Sequence, residues 1–191
     1  MPILSVSDVL PCRPSRILVA GTSGSGKSTM ARRIGERLDV PYVEIDSLFH
    51  GPGWVPRPSF VADVQRFIAG PAWVIEWQYK QVREQLAERA DLLVWLDLPR
   101  WRVMRQVTAR TVRRRLARQV LWNGNLEPPL RTLLTDPDHI IRWAWRTHGA
   151  SSDAVTTLAV RLPELPIVRI RSRREAHRFL TTRLTGKPPA A

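Results

Sequence analysis

The sequence predicts an α/β fold in which helices cover both faces of a parallel sheet. Short apolar segments, rich in β-branched or aromatic residues, alternate with longer segments of helical periodicity. Uninterrupted apolar runs are typical of strands buried on both faces, and their alternation with helices indicates parallel crossovers. We therefore expect five strands, at Ile17 to Ala20, Tyr42 to Ile45, Trp73 to Trp77, Leu92 to Leu96 and Ile167 to Ile170.

A helix follows the first strand, and a long arginine-rich segment follows the fourth. Three apolar residues recur at spacing four on one face of the first helix, namely Met30, Ile34 and Leu38. From residue 100 to residue 146 we interpret the pattern as two helical arms joined by the turn Asn123-Gly124-Asn125, an Arg-rich helical lid rather than a second domain. The predicted organisation is a tail over residues 1–15, a domain over 16–183 that contains the lid at 100–148, and a tail over 184–191.

Composition excludes several classes of protein. The 191 residues suffice for one core, and the net charge of +13 favours phosphates or polyanions as ligands. The single cysteine, Cys12, has no partner for an intrachain disulfide, and no window approaches the roughly 18 uncharged apolar residues that span a bilayer. The N-terminus lacks the basic leader of a signal peptide. We expect a cytoplasmic protein that does not bind a membrane, and the scattered histidines predict no structural zinc.

A glycine-rich motif lies between the first strand and the first helix. The segment from Gly21 to Ser28 has the G-x-x-x-x-G-K-[ST] spacing of a P-loop, in the required strand-loop-helix context. Backbone N–H groups of such a loop and the N-terminus of the following helix bind phosphate. We expect Lys27 to reach the β- and γ-phosphates of ATP and the Ser28 hydroxyl to be a Mg²⁺ ligand. The candidate nucleotide-binding residues are Gly21, Thr22, Ser23, Gly24, Ser25, Gly26, Lys27, Ser28 and Thr29.

Three carboxylates follow the ends of predicted strands, where ligands of parallel sheets bind. Asp46 is a candidate for orienting or deprotonating an acceptor hydroxyl, or alternatively for capping a helix that starts near Ser47. Glu76 is a candidate for holding the hydrated Mg²⁺ ion, or alternatively for a structural ion pair with a lid arginine. Asp97 leads directly into the arginine-rich arm, so we expect a structural or helix-capping role for it.

Eight arginines lie within residues 99 to 118. A kinase lid would use a few of them to neutralise charge on the transferred group, and Arg110 and Arg114, at spacing four, are our candidates. Alternatively the run binds the backbone of a nucleic acid, or it is a solvated helix face.

Four further residues are candidates for binding the acceptor together with Asp46. Trp54 lies in an irregular loop rich in glycine and proline, where it can stack on an acceptor ring, and Tyr79 follows the third strand. Arg142 and Arg146 lie at spacing four on one helix face, where they complete a phosphate clamp or pair with surface carboxylates.

Taken together, these motifs resemble the adenylate-kinase-like P-loop kinases, and more closely the bacterial group of DNA topology modulation proteins of FlaR type. The matching segments are Gly21 to Ser28, Asp46 to Phe49, Gly53 to Arg57, Trp73 to Glu76 with Tyr79, Leu96 to Trp101 and Arg171 to Arg173. The resemblance implies an acceptor region after the second strand, an arginine-bearing lid, and packing of Arg171 and Arg173 on the nucleotide base. Two positions depart from the pattern: Trp77-Gln78 replaces Gly-Asn, and Gln106 stands where such kinases carry an arginine.

We therefore predict an ATP- and Mg²⁺-dependent kinase that acts on a small acceptor, in the first place a nucleotide or nucleoside. Two alternatives stay open: an NTPase associated with nucleic acid, and a nucleotide-binding regulator with little turnover. The sequence leaves the acceptor and the oligomeric state open.

Overall fold

The computed structural model describes residues 3–184 and contains a four-stranded, fully parallel sheet. Its strands are β1 (Arg16–Gly21), β2 (Trp73–Glu76), β3 (Leu92–Leu96) and β4 (Ile167–Ile170), in the spatial order β2-β1-β3-β4. The chain leaves β1 first towards β2 and later returns to β3 on the other side of β1. The carboxyl end of β1 therefore lies at a topological switch point, where sheets of this kind bind ligands.

The predicted strand at residues 42 to 45 is wrong. Tyr42 forms only an isolated parallel bridge with Val74, and Ile45 already begins helix α2 (Ile45–Phe49). The carboxylate of Glu76 accepts the backbone N–H of Ile45 at 2.8 Å, which favours a helical turn at this point over continued pairing with β2. The sheet therefore has four strands instead of five.

Helices cover both faces of the sheet, as predicted. One face packs against α1 (Lys27–Leu38), α9 (Arg173–Arg178) and the π-helical turn Phe179–Arg183. The other face packs against α3 (Phe60–Ile68), α4 (Lys80–Arg89) and α8 (His148–Arg161). The sheet is thus packed between two apolar cores, and its carboxyl edge is where the residues that follow the strands come together.

The predicted lid consists of one long helix and several short ones. Helix α5 (Arg100–Leu116) is followed by a 3-10 turn (Trp122–Gly124), then by α6 (Thr132–Thr135) and α7 (Ile140–Arg146), and α7 packs on α5. Within residues 3–184, no helix combines the length and the apolar character needed to cross a membrane.

Part of the predicted N-terminal tail contacts the sheet. The backbone N–H of Leu4 donates to the carbonyl oxygen of Ile167 at 2.8 Å, the carbonyl oxygen of Leu4 accepts from Arg169, and Val6 is buried. Residues 185–191, most of the predicted C-terminal tail, lie outside the described residues. The domain bounds at 16–183 and the lid bounds at 100–148 stay predictions.

Candidate active site

The phosphate-binding loop joins β1 to α1. Gly24 and Gly26 have positive φ angles of 84° and 98°, a conformation that strains residues with a side chain. A Cβ atom on Gly24 would lie 2.7 Å from the Cβ of Val107, so this glycine lets α5 pack directly on the loop. A Cβ atom on Gly26 would meet nothing within 4 Å. The loop therefore presents backbone groups to open space at the N-terminus of α1, as phosphate binding requires.

Two side chains of the loop fit a bound polyphosphate. The ammonium of Lys27 donates to the carbonyl oxygen of Thr22 at 3.2 Å. Burial lowers the pKa of Lys27, while the carboxylates of Asp46 and Glu76 act against this shift. The hydroxyl of Ser25 is buried and has no hydrogen-bond partner within residues 3–184. Phosphate oxygens would give both side chains an acceptor.

A cavity of about 1070 Å³ lies beside this loop, at the carboxyl edge of the sheet. It brings together most of the predicted site residues, which are Ser23, Gly24, Gly26, Lys27, Ser28, Thr29, Asp46, Trp54, Arg110, Arg114 and Arg173. Gly21, Thr22 and Ser25 belong to the same loop but do not line the cavity. Glu76 and Tyr79 stand behind the lining and contact it, as described below.

Asp46 is held by two donors that follow β2. It lies in the first turn of α2, whose N-cap is Glu44, so Asp46 does not cap this helix. Its Oδ1 accepts hydrogen bonds from the Tyr79 hydroxyl, at 2.7 Å, and from the side-chain amide of Gln78. Burial and the neighbouring carboxylate of Asp46 raise the pKa of Tyr79, so its hydroxyl stays a donor. Because both bonds go to Oδ1, Oδ2 is the oxygen that can receive an acceptor hydroxyl.

Glu76 is almost completely buried, with 1% of its surface exposed. Its carboxylate accepts the Tyr42 hydroxyl at 2.9 Å and the Ile45 N–H at 2.8 Å, so its partners are not lid arginines. Burial raises the pKa of Glu76, and these bonds together with one from the Ser28 hydroxyl oppose the rise. Glu76 therefore joins α2 to β2 and also lies next to the expected Mg²⁺ ligand.

We expect Glu76→Gln to lower the free energy of unfolding by about 2 to 3 kcal/mol, since an amide cannot accept from both donors as the carboxylate does. Urea unfolding measures this loss. Tyr42→Phe is the matched control, because it removes one donor and leaves the carboxylate in place, and it should cost less. Parental stability in Glu76→Gln would contradict the structural role. An unchanged Mg²⁺ dependence of the rate would contradict the predicted role in metal binding.

The two candidate lid arginines differ in their partners. Arg114 pairs with the buried carboxylate of Glu127 at 3.3 Å and lies over the ring of Trp122. Arg110 has a buried Nε without a hydrogen-bond partner among residues 3–184. Burial, and then the charge of Arg114, lowers the pKa of Arg110. Arg110 is therefore the better placed of the two to bind a phosphoryl group.

The structure does not bring Arg142 and Arg146 to the cavity, in contrast to the predicted phosphate clamp. Arg142 donates to the carbonyl oxygen of Leu134 at 3.4 Å. Arg146 pairs with the carboxylate of Asp138 at 2.9 Å and lies over the ring of Trp143. Both guanidinium groups are bound by the segment that precedes α7, so the surface role is the one that the structure supports.

Of the candidate residues that follow β3 and β4, one lines the cavity and the others form structural contacts. Arg173 lines the cavity, whereas Arg171 does not, and the backbone N–H of Arg171 donates to the carboxylate of Glu175. Asp97 forms an ion pair with Arg169, which agrees with the structural role expected for it.

No sequence pattern indicates the contact between the lid and the loop that carries Trp54. Asn125 is 4% exposed. Its amide donates to the carbonyl oxygen of Gly51 at 2.8 Å, and its Oδ1 accepts the backbone N–H of Trp54 at 2.9 Å. The indole N–H of Trp54 donates to the carbonyl oxygen of Leu126 at 3.1 Å. The Asn-Gly-Asn motif identified a turn but not its partner, which lies more than 70 positions away in the chain.

Ser28 is the residue best placed to ligate Mg²⁺. Within residues 3–184 no group of three or more His, Cys, Asp or Glu side chains could hold a metal ion. Mg²⁺ bound with a nucleotide takes few protein ligands and completes its shell with phosphate oxygens and water. The Ser28 hydroxyl, close to Glu76 at the start of α1, fits this mode of binding.

Comparisons with known proteins agree with a P-loop kinase. No family model matches the chain. The chain is 33% identical over 90 residues to the ATP-dependent protease ATPase subunit HslU of Ligilactobacillus salivarius, which covers 45% of the chain and only 19% of that protein. It is 27% identical over 154 residues to the shikimate kinase of Bradyrhizobium diazoefficiens, which covers 70% of the chain and 71% of that protein.

Two solved structures match most of the chain, at low TM-scores. A gluconokinase from Sinorhizobium meliloti matches with a TM-score of 0.49 and 21% identity over 88% of this chain and 92% of that one. A shikimate kinase from Bacteroides thetaiotaomicron matches with a TM-score of 0.46 and 14% identity over 87% of this chain and 94% of that one. These two matches carry no argument for this chain, because their TM-scores are low, whereas the sequence similarity to a shikimate kinase agrees with the expected P-loop kinase enzyme.

Proposed function

We propose that the protein is an ATP- and Mg²⁺-dependent phosphotransferase that passes the γ-phosphate to a hydroxyl group of a small acceptor. The observation that carries this proposal is the cavity, whose lining includes Lys27 and Ser28 of the P-loop, Asp46 and Arg110. A cytoplasmic location belongs to the same proposal.

Each of these residues has a task that its surroundings favour. Lys27 binds the β- and γ-phosphates, because its ammonium lies over the loop that holds them. Asp46 orients the acceptor hydroxyl through Oδ2 and receives its proton, while Tyr79 and Gln78 fix the carboxylate. Arg110 donates to the transferred group. The Ser28 hydroxyl would hold Mg²⁺, which would supply charge that neutralises the phosphate oxygens.

The acceptor end of the cavity suits a small molecule with hydroxyl groups and a flat or apolar face. His50, Trp54 and Trp122 line it, with the rings of His50 and Trp122 stacked 6.2 Å apart. Asp46 and Glu127 supply hydroxyl acceptors. Nucleosides and nucleotides meet this description, and so does shikimate, the substrate named for the relative from Bradyrhizobium diazoefficiens. None of the relatives above supports the resemblance to the FlaR-type group, so that resemblance does not narrow the choice of acceptor.

An ATP-consumption screen tests the proposal. The acceptors are nucleosides, nucleoside mono- and diphosphates, shikimate, gluconate and other small hydroxy acids, each with Mg²⁺ and with Asp46→Asn as the inactive control. We expect one class to stimulate ATP consumption and to yield a phosphorylated product. Tight ATP binding without turnover on any acceptor would favour the nucleotide-binding regulator instead.

Separate roles are expected for the two lid arginines. Arg110→Ala should cost about 2 to 4 kcal/mol of transition-state stabilisation, measured from kcat/KM, because it removes a charged donor from the cavity. Arg114→Ala should mainly lower stability, because it leaves the buried carboxylate of Glu127 without its partner. Equal losses of turnover in both variants, with no change in melting temperature, would contradict this division.

A second function, binding of single-stranded nucleic acid, is favoured by one surface feature. Three exposed tryptophans each carry an arginine over the ring at 5.0 to 5.3 Å, in the pairs Trp145 with Arg100, Trp101 with Arg102, and Trp143 with Arg146. Aromatic rings beside cations are typical of surfaces that stack bases. Oligonucleotide binding over a salt series tests this function. Similar modest losses for each arginine variant, with a slope of about −0.7 per phosphate contacted, would support it.

A further inference from the structure

Three side-chain N–H groups on the lid side of the cavity have no assigned hydrogen-bond partner in the proposed transfer. Of the three residues that carry them, only Arg110 has been given a role, and that role depends on its charge. The three groups are Gln106 Nε2 and Arg110 Nε on α5, and His139 Nε2 at the N-cap of α7. All three atoms are buried, none has a hydrogen-bond partner within residues 3–184, and all three residues line the cavity. Buried polar groups without partners are uncommon in native proteins. Three donors on one cavity wall therefore indicate a ligand that is rich in acceptors.

The hydrogen bonding of His139 fixes which of its nitrogens is the donor. The side chain is 2% exposed, and its Nδ1 accepts the backbone N–H of Ile141 at 3.3 Å. A ring nitrogen that accepts a hydrogen bond carries no proton, so the neutral imidazole carries its proton on Nε2. His139 therefore carries a buried N–H group on a residue that lines the cavity, as Gln106 and Arg110 do.

The position of α5 places Gln106 and Arg110 close to the P-loop. The Cα atom of Gly24 approaches α5 so closely that a Cβ atom there would lie 2.7 Å from Val107 Cβ and 3.4 Å from the Val103 carbonyl oxygen. Gln106 and Arg110 lie one helical turn apart on the adjacent ridge of the same helix. Helix α7 packs on α5 and brings His139 to the same wall.

Nearby charges leave this wall suited to an anion. Asp136 and Asp138 also line it, but Asp138 pairs with Arg146 at 2.9 Å and Asp136 accepts the backbone N–H of Asp138 at 2.8 Å. Two further arginines of α5, Arg105 and Arg113, line the cavity. Asp136 and Asp138 thus have donors of their own, and Arg105 and Arg113 add positive charge to the cavity lining.

We propose that Gln106 and His139 donate hydrogen bonds to the polyphosphate of the bound nucleoside triphosphate and form, with Arg110, a second phosphate-binding wall that faces the P-loop. This inference rests on the proposed function and deepens it.

Binding of Mg·ATP, Mg·ADP, AMP and inorganic tripolyphosphate, measured by calorimetry, tests the wall. His139→Asn keeps an acceptor for the Ile141 N–H and removes the Nε2–H donor. Gln106→Leu removes the side-chain amide and keeps a side chain of similar size. We expect each to weaken binding of Mg·ATP and tripolyphosphate by about 5- to 30-fold. AMP binding should not change, and His139→Gln, which restores an N–H group near the position of Nε2, should recover part of the loss. The controls are His177→Asn and Gln81→Leu, at two exposed positions outside the cavity.

The outcomes separate this inference from the proposed function. Unchanged tripolyphosphate binding in folded Gln106→Leu and His139→Asn would overturn the wall, and so would an equal loss of AMP binding, which would place the donors on the nucleoside. If either variant fails to fold, the other still decides. Lys27→Ala reports on the proposed function separately. Parental Mg·ATP affinity in Lys27→Ala would overturn the kinase itself, whereas a loss there without a loss in the other two would overturn only the wall.

Discussion

Lys27→Ala is expected to reduce kcat by at least about 100-fold and to remove most of the ATP affinity, because it takes a preorganised cation from the phosphates. The melting temperature should not fall. Desolvation lowers the pKa of Lys27, and the carboxylates of Asp46 and Glu76 oppose this shift, so the partly buried ammonium contributes little net stability that its removal could take away. Steady-state kinetics, calorimetry and thermal unfolding measure the three effects.

The matched control for Lys27→Ala is Arg37→Ala, which removes an exposed cation from the last turn of the same helix. It should leave both turnover and affinity unchanged. Mg·ATP bound by Lys27→Ala as tightly as by the parent protein would disprove the assignment of the P-loop as the nucleotide site.

Asp46→Asn should lower kcat by about 100- to 10,000-fold while Mg·ATP still binds, since the amide cannot take the proton of the acceptor hydroxyl. Tyr79→Phe provides the graded comparison. It removes one of the two donors that fix Asp46 and leaves the carboxylate in place, so its effect on kcat should be smaller. A pre-steady-state measurement of product formation separates the transfer step from product release.

If Asp46→Asn turned over at the parental rate, the proton would have to leave by another route, and the carboxylate would only shape the acceptor pocket. In that case KM for the acceptor would rise and kcat would not change. The ratio of the two effects therefore decides whether Asp46 acts in chemistry or in binding.

Much of the fold follows from local sequence signals. Four of the five predicted strands are present because each is a short apolar run that the sheet buries on both faces. The strand predicted at residues 42 to 45 is absent because of a contact that is distant in the chain. Its apolar composition is that of a strand, but a carboxylate 31 positions away, Glu76, accepts the Ile45 N–H and supports a helical turn. The local sequence pattern does not indicate a hydrogen bond between residues so far apart in the chain.

The candidate site was likewise predictable only where a local sequence signal determines the position of a residue. The P-loop and the carboxylates at strand ends were predictable because a fixed spacing or a fixed edge of the sheet determines where they lie. Arg142 and Arg146 do share a helix, yet spacing four says nothing about which way that helix faces. Gln106 stood out only as a departure from the kinase pattern, and His139 carries no motif. Only the packing of α7 on α5 buries their N–H groups in the cavity wall.

The junction of Trp54 with the lid gives the protein a built-in optical probe. The rings of Trp54 and Trp122 lie 6.1 Å apart across the two loops that Asn125 joins. Indole emission responds to water and to neighbouring charges, so separation of the loops would change the fluorescence of this pair without any added label. Among the other tryptophans, three are exposed and can be replaced to reduce the background, namely Trp101, Trp143 and Trp145. Any separation of these two loops on ligand binding can thus be followed in stopped flow on the unlabelled chain.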